Sequence, residues 1–345
     1  MYLMEDWGSY MRVLFQIRPD FLINPAGDTI QCIKTKKYIE NYGVYVQINN
    51  KYDIDLKEYD IVHLFNTTRV HETYAFFKNA KRQRKKVVLS TIYWDMKDYF
   101  IRLSSKEYEN WKRAEWMRRE LFKGVDMLLP NAHMEYQKIK ENYNITNKYH
   151  VVPNGVDLND LDNSGAIDDS SKLFNVKDFI LCVARISPRK NQLNLINALK
   201  KVGIPLVLIG PINDFEYYKN VIKSSNDNVI FLNYIKNEQL YYFYKLARVH
   251  VLPSWFETPG LSSLEAASCG CNIVSTIVGT ATEYFGNMAW YCYPDDISSI
   301  YNAVMEAYYT PKNDRLKNHI RINYTWDKAA QETLKAYYEV TKNSK

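Results

Sequence analysis

The sequence predicts an α/β protein of two domains, each built on a doubly wound parallel sheet. Short apolar segments alternate with helical patterns along the whole chain, an order typical of parallel sheets covered by helices. The length of 345 residues exceeds the usual size of one domain. A polar segment without periodicity, residues 161–172, interrupts this alternation and is typical of a linker.

The predicted strands are short runs rich in Val, Ile, Leu and Phe, as expected for strands that helices cover on both faces. They are residues 11–17, 60–65, 86–92 and 126–130 before the linker, and residues 179–184, 205–210, 228–233, 250–253 and 272–276 after it. We therefore expect a first Rossmann-like domain over residues 1–158 and a linker over 159–174. A second Rossmann-like domain over 175–322 and a last helix over 323–345 complete the predicted organisation.

Composition excludes several classes of protein. No run of about 18 apolar residues occurs, so no membrane span is expected. The first ten residues are acidic and polar, unlike a signal peptide. The first predicted strand begins only at Met11, so Met1 and Met11 both remain candidate starts. Five irregularly spaced cysteines favour reduced thiols in a cytoplasm. Cys269 and Cys271 have poor spacing for zinc, and no metal site is expected.

The net charge of +6 is concentrated in the first predicted domain, which has 25 Lys and Arg against 20 Asp and Glu. Two basic stretches, residues 78–86 and 111–124, are explained most simply as solvated helix surfaces. The alternative is a surface that contacts anionic membrane, since Trp111, Trp116 and Leu121 are interspersed with the basic residues. No nucleic-acid motif is present, and nucleic acid is not an expected partner.

The segment PSWFETPGLSSLE, residues 253–265, is the first candidate functional site. A predicted strand ends at Pro253, Pro259 and Gly260 indicate a tight turn, and a helical pattern begins at Leu261. Ser262 and Ser263 are expected to cap the start of this helix. The N–H groups of a helix start, together with the helix dipole, favour an anion such as phosphate.

Two glutamates lie beside this predicted anion site. Glu257 is in the turn and Glu265 is one turn into the helix. A carboxylate repels a phosphate but accepts hydrogen bonds from hydroxyls attached to it. A ligand with hydroxyls on both sides of a diphosphate, such as a nucleotide-sugar, fits this pattern.

A basic cluster follows the first strand of the second domain. Arg185, Arg189 and Lys190 come directly after the strand at residues 179–184. Ligands of open α/β sheets bind in the crevice beyond the carboxyl ends of the strands. Arg and Lys side chains there are suited to binding a diphosphate.

Together these segments resemble the family-four retaining glycosyltransferases, which have the GT-B fold of two Rossmann-like domains facing across a cleft. The resemblance extends essentially from Met11 onward. It is carried by ARISPRKNQ (184–192), PSWFETPGLSSLE with its E-x7-E spacing, VVPNGVD (151–157), NPAGDTIQ (24–31) and TWDKAAQETLKAYYEV (325–340). In this family the last helix crosses back to the first domain.

The resemblance implies a role for each matching position. Arg185 and Lys190 hold the donor diphosphate, Glu257 lies near the hydroxyls of the transferred sugar, and Glu265 accepts hydrogen bonds from the ribose. Backbone N–H groups around Pro259, Gly260 and Leu261 approach the sugar and phosphate, and Gly27 lets a first-domain loop come near the same phosphate. The family is metal-independent, so the nucleotide-sugar is a substrate and no cofactor is expected.

The chain departs from the family on the acceptor side, which is the first domain. Many members have a His after a first-domain strand, whereas the corresponding segment here, STIYWDM (90–96), has none. Asp95 in that segment and His63 in the predicted strand 60–65 are acceptor-side candidates, and His71 and His133 are further ones. The simpler interpretation places His63 between the layers of the fold and His133 at a helix start.

We therefore predict a cytoplasmic retaining hexosyltransferase of polysaccharide biosynthesis. It would transfer a sugar from a nucleotide-sugar to a glycan or lipid-linked glycan, with membrane contact at the inner face as a further expectation. The alternatives are a sugar-nucleotide epimerase on the same fold and a catalytically silent GT-B subunit that binds glycan. The sequence contains neither G-x-G-x-x-G nor G-x-x-x-x-G-K-[ST], which removes support for a nicotinamide or flavin enzyme and a P-loop nucleotidase.

Overall fold

The structure is a computed structural model that describes residues 11–159, 178–235 and 237–342. The chain divides into two compact units, Met1–Asn154 with Trp326–Lys345, and Gly155–Thr325. Each unit contains one sheet whose strands pair in parallel, which confirms the predicted fold class of two Rossmann-like α/β domains. Residues 160–174 of the predicted linker, and the choice between Met1 and Met11, fall outside the described residues.

The first unit has a five-stranded sheet in the order β2-β1-β3-β4-β5. Its strands are β1 (Arg12–Gln16), β2 (Tyr45–Ile48), β3 (Ile61–Phe65), β4 (Lys86–Ser90) and β5 (Met127–Leu129). Its helices over this part of the chain are α1 (Gly27–Ile39), α2 (Val70–Arg82), α3 (Lys97–Leu103), α4 (Ser105–Arg113), α5 (Glu115–Gly124) and α6 (His133–Tyr143). All five residues of the central strand β3 are buried, as expected for a strand covered on both faces.

The second unit has a six-stranded sheet in the order β11-β10-β9-β6-β7-β8. Its strands are β6 (Ile180–Val183), β7 (Leu206–Ile209), β8 (Val229–Leu232), β9 (Val249–Leu252), β10 (Asn272–Thr276) and β11 (Trp290–Cys292). Its described helices are α7 (Gln192–Leu199), α8 (Phe215–Ser224), α9 (Asn237–Leu246), α10 (Leu261–Ser268), α11 (Ala281–Phe285), α12 (Ile297–Tyr309) and α13 (Asp314–Asn323). The strand order changes direction between β6 and β9, where parallel sheets commonly bind ligands.

The last described helix, α14 (Trp326–Lys342), belongs to the first unit. It packs on α1 through an apolar face that includes Trp326 and Val340. The Tyr42 hydroxyl donates to Asp327 Oδ1 at 2.8 Å, and His150 Nε2 lies 2.7 Å from Glu332 Oε2. The C-terminal segment is therefore an integral part of the N-terminal fold.

Two strands, β2 and β11, are missing from the sequence prediction. Both are outermost strands of their sheets. Tyr45 of β2 is exposed, and Trp290 and Tyr291 of β11 are half-buried, so neither strand forms the continuous apolar run of a buried strand. An outer strand is covered less completely, and its sequence pattern is weaker for that reason.

The membrane-facing interpretation of residues 111–124 is wrong for part of this stretch. Trp111 and Leu121 are buried, and Arg118 is fully buried with its guanidinium 3.5 Å from the centre of the Trp111 ring. Arg118 Nε also donates to the Tyr143 hydroxyl at 2.9 Å. Of the three apolar side chains in that prediction, Trp116 alone is exposed. The pattern of alternating basic and apolar residues therefore reflects a core contact as much as a surface.

Membrane-spanning helices are absent from the described part of the chain, since none of its helices is both long and apolar enough.

Candidate active site

The predicted donor-binding residues converge because β6 and β9 are neighbours in the second sheet. Ile180 and Leu181 of β6 pair with Val249 and His250 of β9. Parallel strands end at the same edge, so the segments that follow β6 and β9 leave the sheet side by side. The first carries Lys190 and the second carries Glu257.

The turn after β6 is fixed to the end of β9 by Asn191. A single 3₁₀ turn, Pro188–Lys190, is followed by Asn191 with φ of 62°, in the left-handed region that asparagine tolerates. The Asn191 side-chain amide donates to the carbonyl of Pro253 at 2.9 Å and to that of Pro294 at 2.7 Å. Trp255 N also donates to the Arg189 carbonyl at 3.0 Å. These bonds hold Lys190 beside the segment that follows β9.

Lys190 and Glu257 form a buried ion pair. Lys190 Nζ lies 2.5 Å from Glu257 Oε1, and the two side chains are 13% and 5% exposed. Arg189 Nη1 lies 3.9 Å from the same oxygen. Burial opposes ionisation of Glu257, but the charges of Lys190 and Arg189 outweigh it and lower the pKa of Glu257 below its usual value. The site therefore contains an ionised carboxylate under two cations.

The backbone of Glu257 is held by the loop after β10. Glu257 N donates to the Val278 carbonyl at 3.1 Å, and Thr280 N donates to the Glu257 carbonyl at 2.9 Å. Gly279 has φ of 121°, and a Cβ there would lie 2.0 Å from the Glu257 carbonyl oxygen. Only glycine permits this approach. The roles of Gly279 and Asn191 in holding the site were not predicted from the sequence. The contact between Arg189 and Glu257 was not predicted either, although the basic residues at 185–190 were a signal for Arg189.

The turn between Glu257 and helix α10 has the predicted position. The Thr258–Pro259 peptide is cis, and Gly260 has φ of 91° immediately before Leu261, the first residue of α10. A Cβ on Gly260 would lie 3.0 Å from the Leu252 side chain and 3.4 Å from Glu257 Oε2. Gly260 therefore brings the start of α10 close to the ion pair.

The prediction that Ser262 and Ser263 cap α10 is wrong. The N-terminus of α10 has no side-chain cap. Ser262 Oγ instead donates to the Val183 carbonyl at 2.8 Å, and Ser263 Oγ lies 3.4 Å from His250 Nδ1. Both hydroxyls thus fix α10 to the strands beneath it. A helix start without a side-chain cap is suited to an anion.

Arg185 and Glu265 lie at the edges of this cluster. Arg185 follows β6, is half-buried, and donates from Nη1 to Asn213 Oδ1 at 3.3 Å. Glu265 is half-buried on α10, where its Oε2 accepts a hydrogen bond from the Tyr244 hydroxyl at 3.1 Å. The second unit contains seven predicted donor-side residues. Six lie around the ends of β6 and β9, and Glu265 lies one helical turn further; the six are Arg185, Lys190, Glu257, Pro259, Gly260 and Leu261.

The three first-unit candidates lie in different environments. Gly27 is exposed and begins α1, so it stands at a helix start as the loop prediction requires. Asp95 follows β4 and accepts from Lys97 N at 3.0 Å and from Asn142 Nδ2 at 3.1 Å. Its acceptor-side role stays a prediction.

His63 is a core residue, and the prediction that it lies on the acceptor side is wrong. It is 1% exposed in the centre of β3. Its Nδ1 lies 2.6 Å from the Tyr337 hydroxyl on α14, and its Nε2 lies 2.8 Å from Ser90 Oγ. Burial lowers the pKa of His63 to about 3, so the ring is neutral. Residue type alone could not distinguish this internal role from a catalytic one.

Within residues 11–159, 178–235 and 237–342, His, Cys, Asp and Glu side chains form no group of three or more arranged to hold a metal ion.

Comparison with known families identifies one matching model. Residues 164–323 match the model described as glycosyl transferases group 1. This range includes the segments after both β6 and β9.

Curated relatives match over about half to two thirds of the chain. The chain is 26% identical to O-antigen chain mannosyltransferase B of Escherichia coli over 172 residues, 46% of this chain and 45% of that protein. It is 30% identical to D-inositol 3-phosphate glycosyltransferase of Mycolicibacterium smegmatis over 167 residues, 45% of this chain and 38% of that protein. The chain is also 24% identical to an uncharacterized 41.2 kDa protein in the cps region of Klebsiella pneumoniae. This match extends over 230 residues, which are 66% of this chain and 62% of that protein. The chain thus spans about half the length of the curated relatives it matches.

Solved structures with the same fold cover nearly the whole chain. Sucrose-phosphate synthase from Thermosynechococcus elongatus has a TM-score of 0.81 at 15% identity, covering 96% of this chain and all of that chain. Anabaena Alr3699/HepE, solved in complex with UDP and glucose, has a TM-score of 0.73 at 16% identity, covering 95% of this chain and all of that chain. At these identities the likeness establishes the fold.

Proposed function

We propose that this chain is a retaining glycosyltransferase, because residues 164–323 match the model described as glycosyl transferases group 1 and the sequence resembles family four. It transfers a hexosyl group from a nucleotide-sugar to a hydroxyl of a glycan or lipid-linked glycan. The matched residues contain both elements of the candidate site, so the proposal rests on the part of the chain that carries the chemistry.

The observation that carries the proposal is the buried Lys190–Glu257 pair at the switch point of the second sheet. Breaking a glycosyl–phosphate bond leaves negative charge on the departing diphosphate. Lys190, with Arg189 beside it and the start of α10 close by, supplies positive potential where that charge develops. These positive groups are already in position before the reaction. The site therefore needs little reorganisation of its side chains and backbone as the glycosyl–phosphate bond breaks.

The other site residues bind the two ends of the donor in this proposal. Arg185 adds a second cation for the diphosphate, and Glu265 accepts hydrogen bonds from the ribose hydroxyls. Glu257 both holds Lys190 and presents its carboxylate to the hydroxyls of the transferred sugar. Gly260 allows the backbone at the start of α10 to approach the donor without a side chain in the way.

We also propose that the reaction needs no metal ion or other cofactor. The support is the cluster of Arg185, Arg189 and Lys190, which can offset the charge that a divalent cation offsets in other transferases. Turnover in the presence of EDTA should equal turnover in its absence. Loss of turnover on chelation, with recovery on adding Mg²⁺, would contradict this part of the proposal.

The relatives guide the choice of donors and acceptors. Two of the names above describe a mannosyltransferase of the O-antigen chain and a glycosyltransferase of inositol phosphate, and one solved structure contains UDP and glucose. We propose a nucleotide-hexose donor and a saccharide acceptor in polysaccharide biosynthesis. A thermal-shift panel of UDP, GDP and their hexose conjugates tests donor binding. A ligand at 100 times its Kd raises the free energy of unfolding by about 2.7 kcal/mol.

Turnover assays separate this function from its alternatives. A transferase releases nucleoside diphosphate from the donor, and faster when acceptor is present. A sugar-nucleotide epimerase would instead isomerise the donor, and a silent subunit would bind saccharide without turnover. Either outcome would contradict the proposed function.

Peripheral contact with anionic membrane in a cytoplasm is a further part of the proposal. Once the buried residues are set aside, the exposed basic side chains of the two stretches are Lys78, Lys81, Arg82, Arg84, Lys112, Arg113, Arg119 and Lys123. Trp116, Glu115 and Glu120 are exposed among them. Helices α2 and α5 pack together, so most of this set shares one region of the first unit. Binding to anionic vesicles should be salt-sensitive and weakened by the R113E/R119E double substitution. If the wild type does not bind anionic vesicles at low salt, the membrane proposal is wrong and the basic residues form a solvated surface.

A further inference from the structure

The environment of Glu265 contains a buried tyrosine that the site residues do not include. We propose that Tyr244 is a positioning residue that orients the Glu265 carboxylate for the ribose hydroxyls of the donor. This inference rests on the proposed function, because it assigns the partner that makes ribose recognition specific. It names a determinant of nucleotide binding outside both sequence motifs.

Tyr244 is fixed on all sides. It lies on α9, which packs against α10, and its side chain is 0% exposed. Its ring meets the His250 ring edge-on, with the ring centres 5.7 Å apart. Its carbonyl accepts a hydrogen bond from Cys271 Sγ at 2.7 Å. A ring held in this way presents its hydroxyl in one direction, toward Glu265 Oε2 at 3.1 Å.

The chemistry of the contact sets the direction of the hydrogen bond. An ionised carboxylate accepts only, so the Tyr244 hydroxyl must donate. Burial, followed by the negative charge of Glu265, raises the pKa of Tyr244 well above its usual value. The hydroxyl therefore stays protonated and serves as a permanent donor at any physiological pH.

The consequence concerns the geometry that a ribose needs. A glutamate side chain has several rotatable bonds, and fixing them has a substantial cost in conformational entropy. The bond to Tyr244 fixes one oxygen of Glu265 before any nucleotide arrives. The orientation of the carboxylate is then set in advance. Its remaining acceptor positions point in a constant direction, where the ribose hydroxyls can donate to them.

The Tyr244→Phe substitution removes this hydroxyl and keeps the shape of the ring. The dissociation constants of UDP and GDP, and of their 2′,3′-dideoxy counterparts, should be measured for wild type and variant by calorimetry. For whichever diphosphate the wild type binds, we expect affinity to fall about tenfold in the variant. The dideoxy counterpart should bind wild type and variant equally, since it has no ribose hydroxyl for Glu265.

Tyr308→Phe is the matched control. Tyr308 lies in the same unit and its hydroxyl donates to the Asp178 carbonyl at 2.8 Å, a contact with no part in the proposed site. This control should bind both forms of the nucleotide as the wild type does. It reports any general effect of removing a tyrosine hydroxyl from the second unit.

The outcomes separate this inference from the function on which it rests. Equal loss of affinity for the ribose and dideoxy forms in Tyr244→Phe would indicate a merely structural role and overturn the inference. Unchanged affinity for the ribose form would also overturn it, with the proposed function intact. If the wild type binds neither diphosphate, the proposed function itself fails, and the inference fails with it.

Discussion

Lys190 Nζ lies 2.5 Å from Glu257 Oε1. This contact joins the segment that follows β6 to the segment that follows β9. The contact spans 67 positions of the sequence and places opposite charges at the point where the strand order of the sheet reverses. The cation proposed for the diphosphate is thus held by the carboxylate proposed for the sugar. The two roles are coupled through this ion pair. Loss of Glu257 leaves Lys190 buried without its counter-charge, and we expect the effect in folding stability and in the transition state rather than in binding of the nucleoside diphosphate.

Replacing Glu257 by Gln tests this coupling. The variant keeps the shape of the side chain but leaves Lys190 buried without its counter-charge. We expect the free energy of unfolding to fall by about 3 kcal/mol, as for other broken buried pairs. Donor turnover should fall by about two to three orders of magnitude, while affinity for the nucleoside diphosphate changes little. Chemical denaturation, a turnover assay and calorimetry measure the three quantities.

Glu216→Gln is the control, because Glu216 is 80% exposed and forms a surface ion pair with Lys219. The free energy of unfolding of this control variant should differ from that of the wild type by less than about 0.5 kcal/mol. Wild-type turnover in Glu257→Gln would remove Glu257 from the active site.

Arg185 and Lys190 are predicted to act together on the donor diphosphate. Each single change to Ala should lower turnover more than it raises the donor KM, since the phosphate charge grows as the bond breaks. The double variant should lose less than the sum of the two single losses, because both cations serve the same group. Steady-state kinetics of the four proteins with one donor measure the coupling. Small and strictly additive effects would mean that the diphosphate binds elsewhere.

Arg118 and Arg119 are adjacent in sequence and opposite in environment, which allows a matched comparison. Arg118 is fully buried against Trp111 and Tyr143, whereas Arg119 is exposed. Arg118→Ala should lower the free energy of unfolding by about 3 kcal/mol through lost packing and unpaired polar groups. Arg119→Ala should change it by less than about 0.5 kcal/mol. Equal effects in denaturant titrations would contradict the burial of Arg118.

The buried histidines predict how stability depends on pH. Burial lowers the pKa of both His63 and His250 to about 3, against an ordinary value of 6.5. Between these values the unfolded chain binds more protons than the folded one, so each histidine contributes stability above pH 6.5 that is lost as pH falls toward 3. Each adds a slope of up to about 1.4 kcal/mol per pH unit.

The variant His63→Gln, which has no titrating ring, should show a shallower fall of stability between pH 6 and pH 4 than wild type. Denaturation at several pH values measures the slope. His133→Gln is the control, because His133 is exposed at the start of α6. Parallel wild-type and His63→Gln curves would mean that His63 is not a buried neutral residue.

The sequence predicted the parts of the fold that depend on local pattern. Nine strands were placed within a few residues: the seven interior strands, and the outer strands β5 and β8, which also contain apolar runs. The outer strands β2 and β11 were missed because partly exposed strands lack that pattern. The interior position of His63 was the simpler of two interpretations. The acceptor-side alternative stayed open because the sequence does not show whether a strand histidine meets solvent or, as here, Tyr337 and Ser90.

The positions of the candidate donor-side residues after β6 and β9 were predictable, because both strands have a recognisable apolar pattern. What the sequence could not supply is the contact between distant segments. Asn191 anchors the Lys190 turn to Pro253 and Pro294, and Gly279 admits the Glu257 carbonyl. Tyr244 reaches Glu265 from a different helix. Such contacts depend on how helices and loops pack over the sheet. Residue types and their spacing in the sequence do not determine that packing.

The most direct test of the account is the release of nucleoside diphosphate from nucleotide-hexoses by wild type and Glu257→Gln, in EDTA, with the anomeric configuration of the sugar product followed by NMR. UDP- and GDP-hexoses should be tried with saccharide acceptors, and Glu216→Gln should be run alongside. The account predicts release by wild type and control, a sugar product with the donor's anomeric configuration, and a rate about two to three orders of magnitude lower in Glu257→Gln. Equal rates in wild type and Glu257→Gln, or a product of inverted configuration, would contradict it.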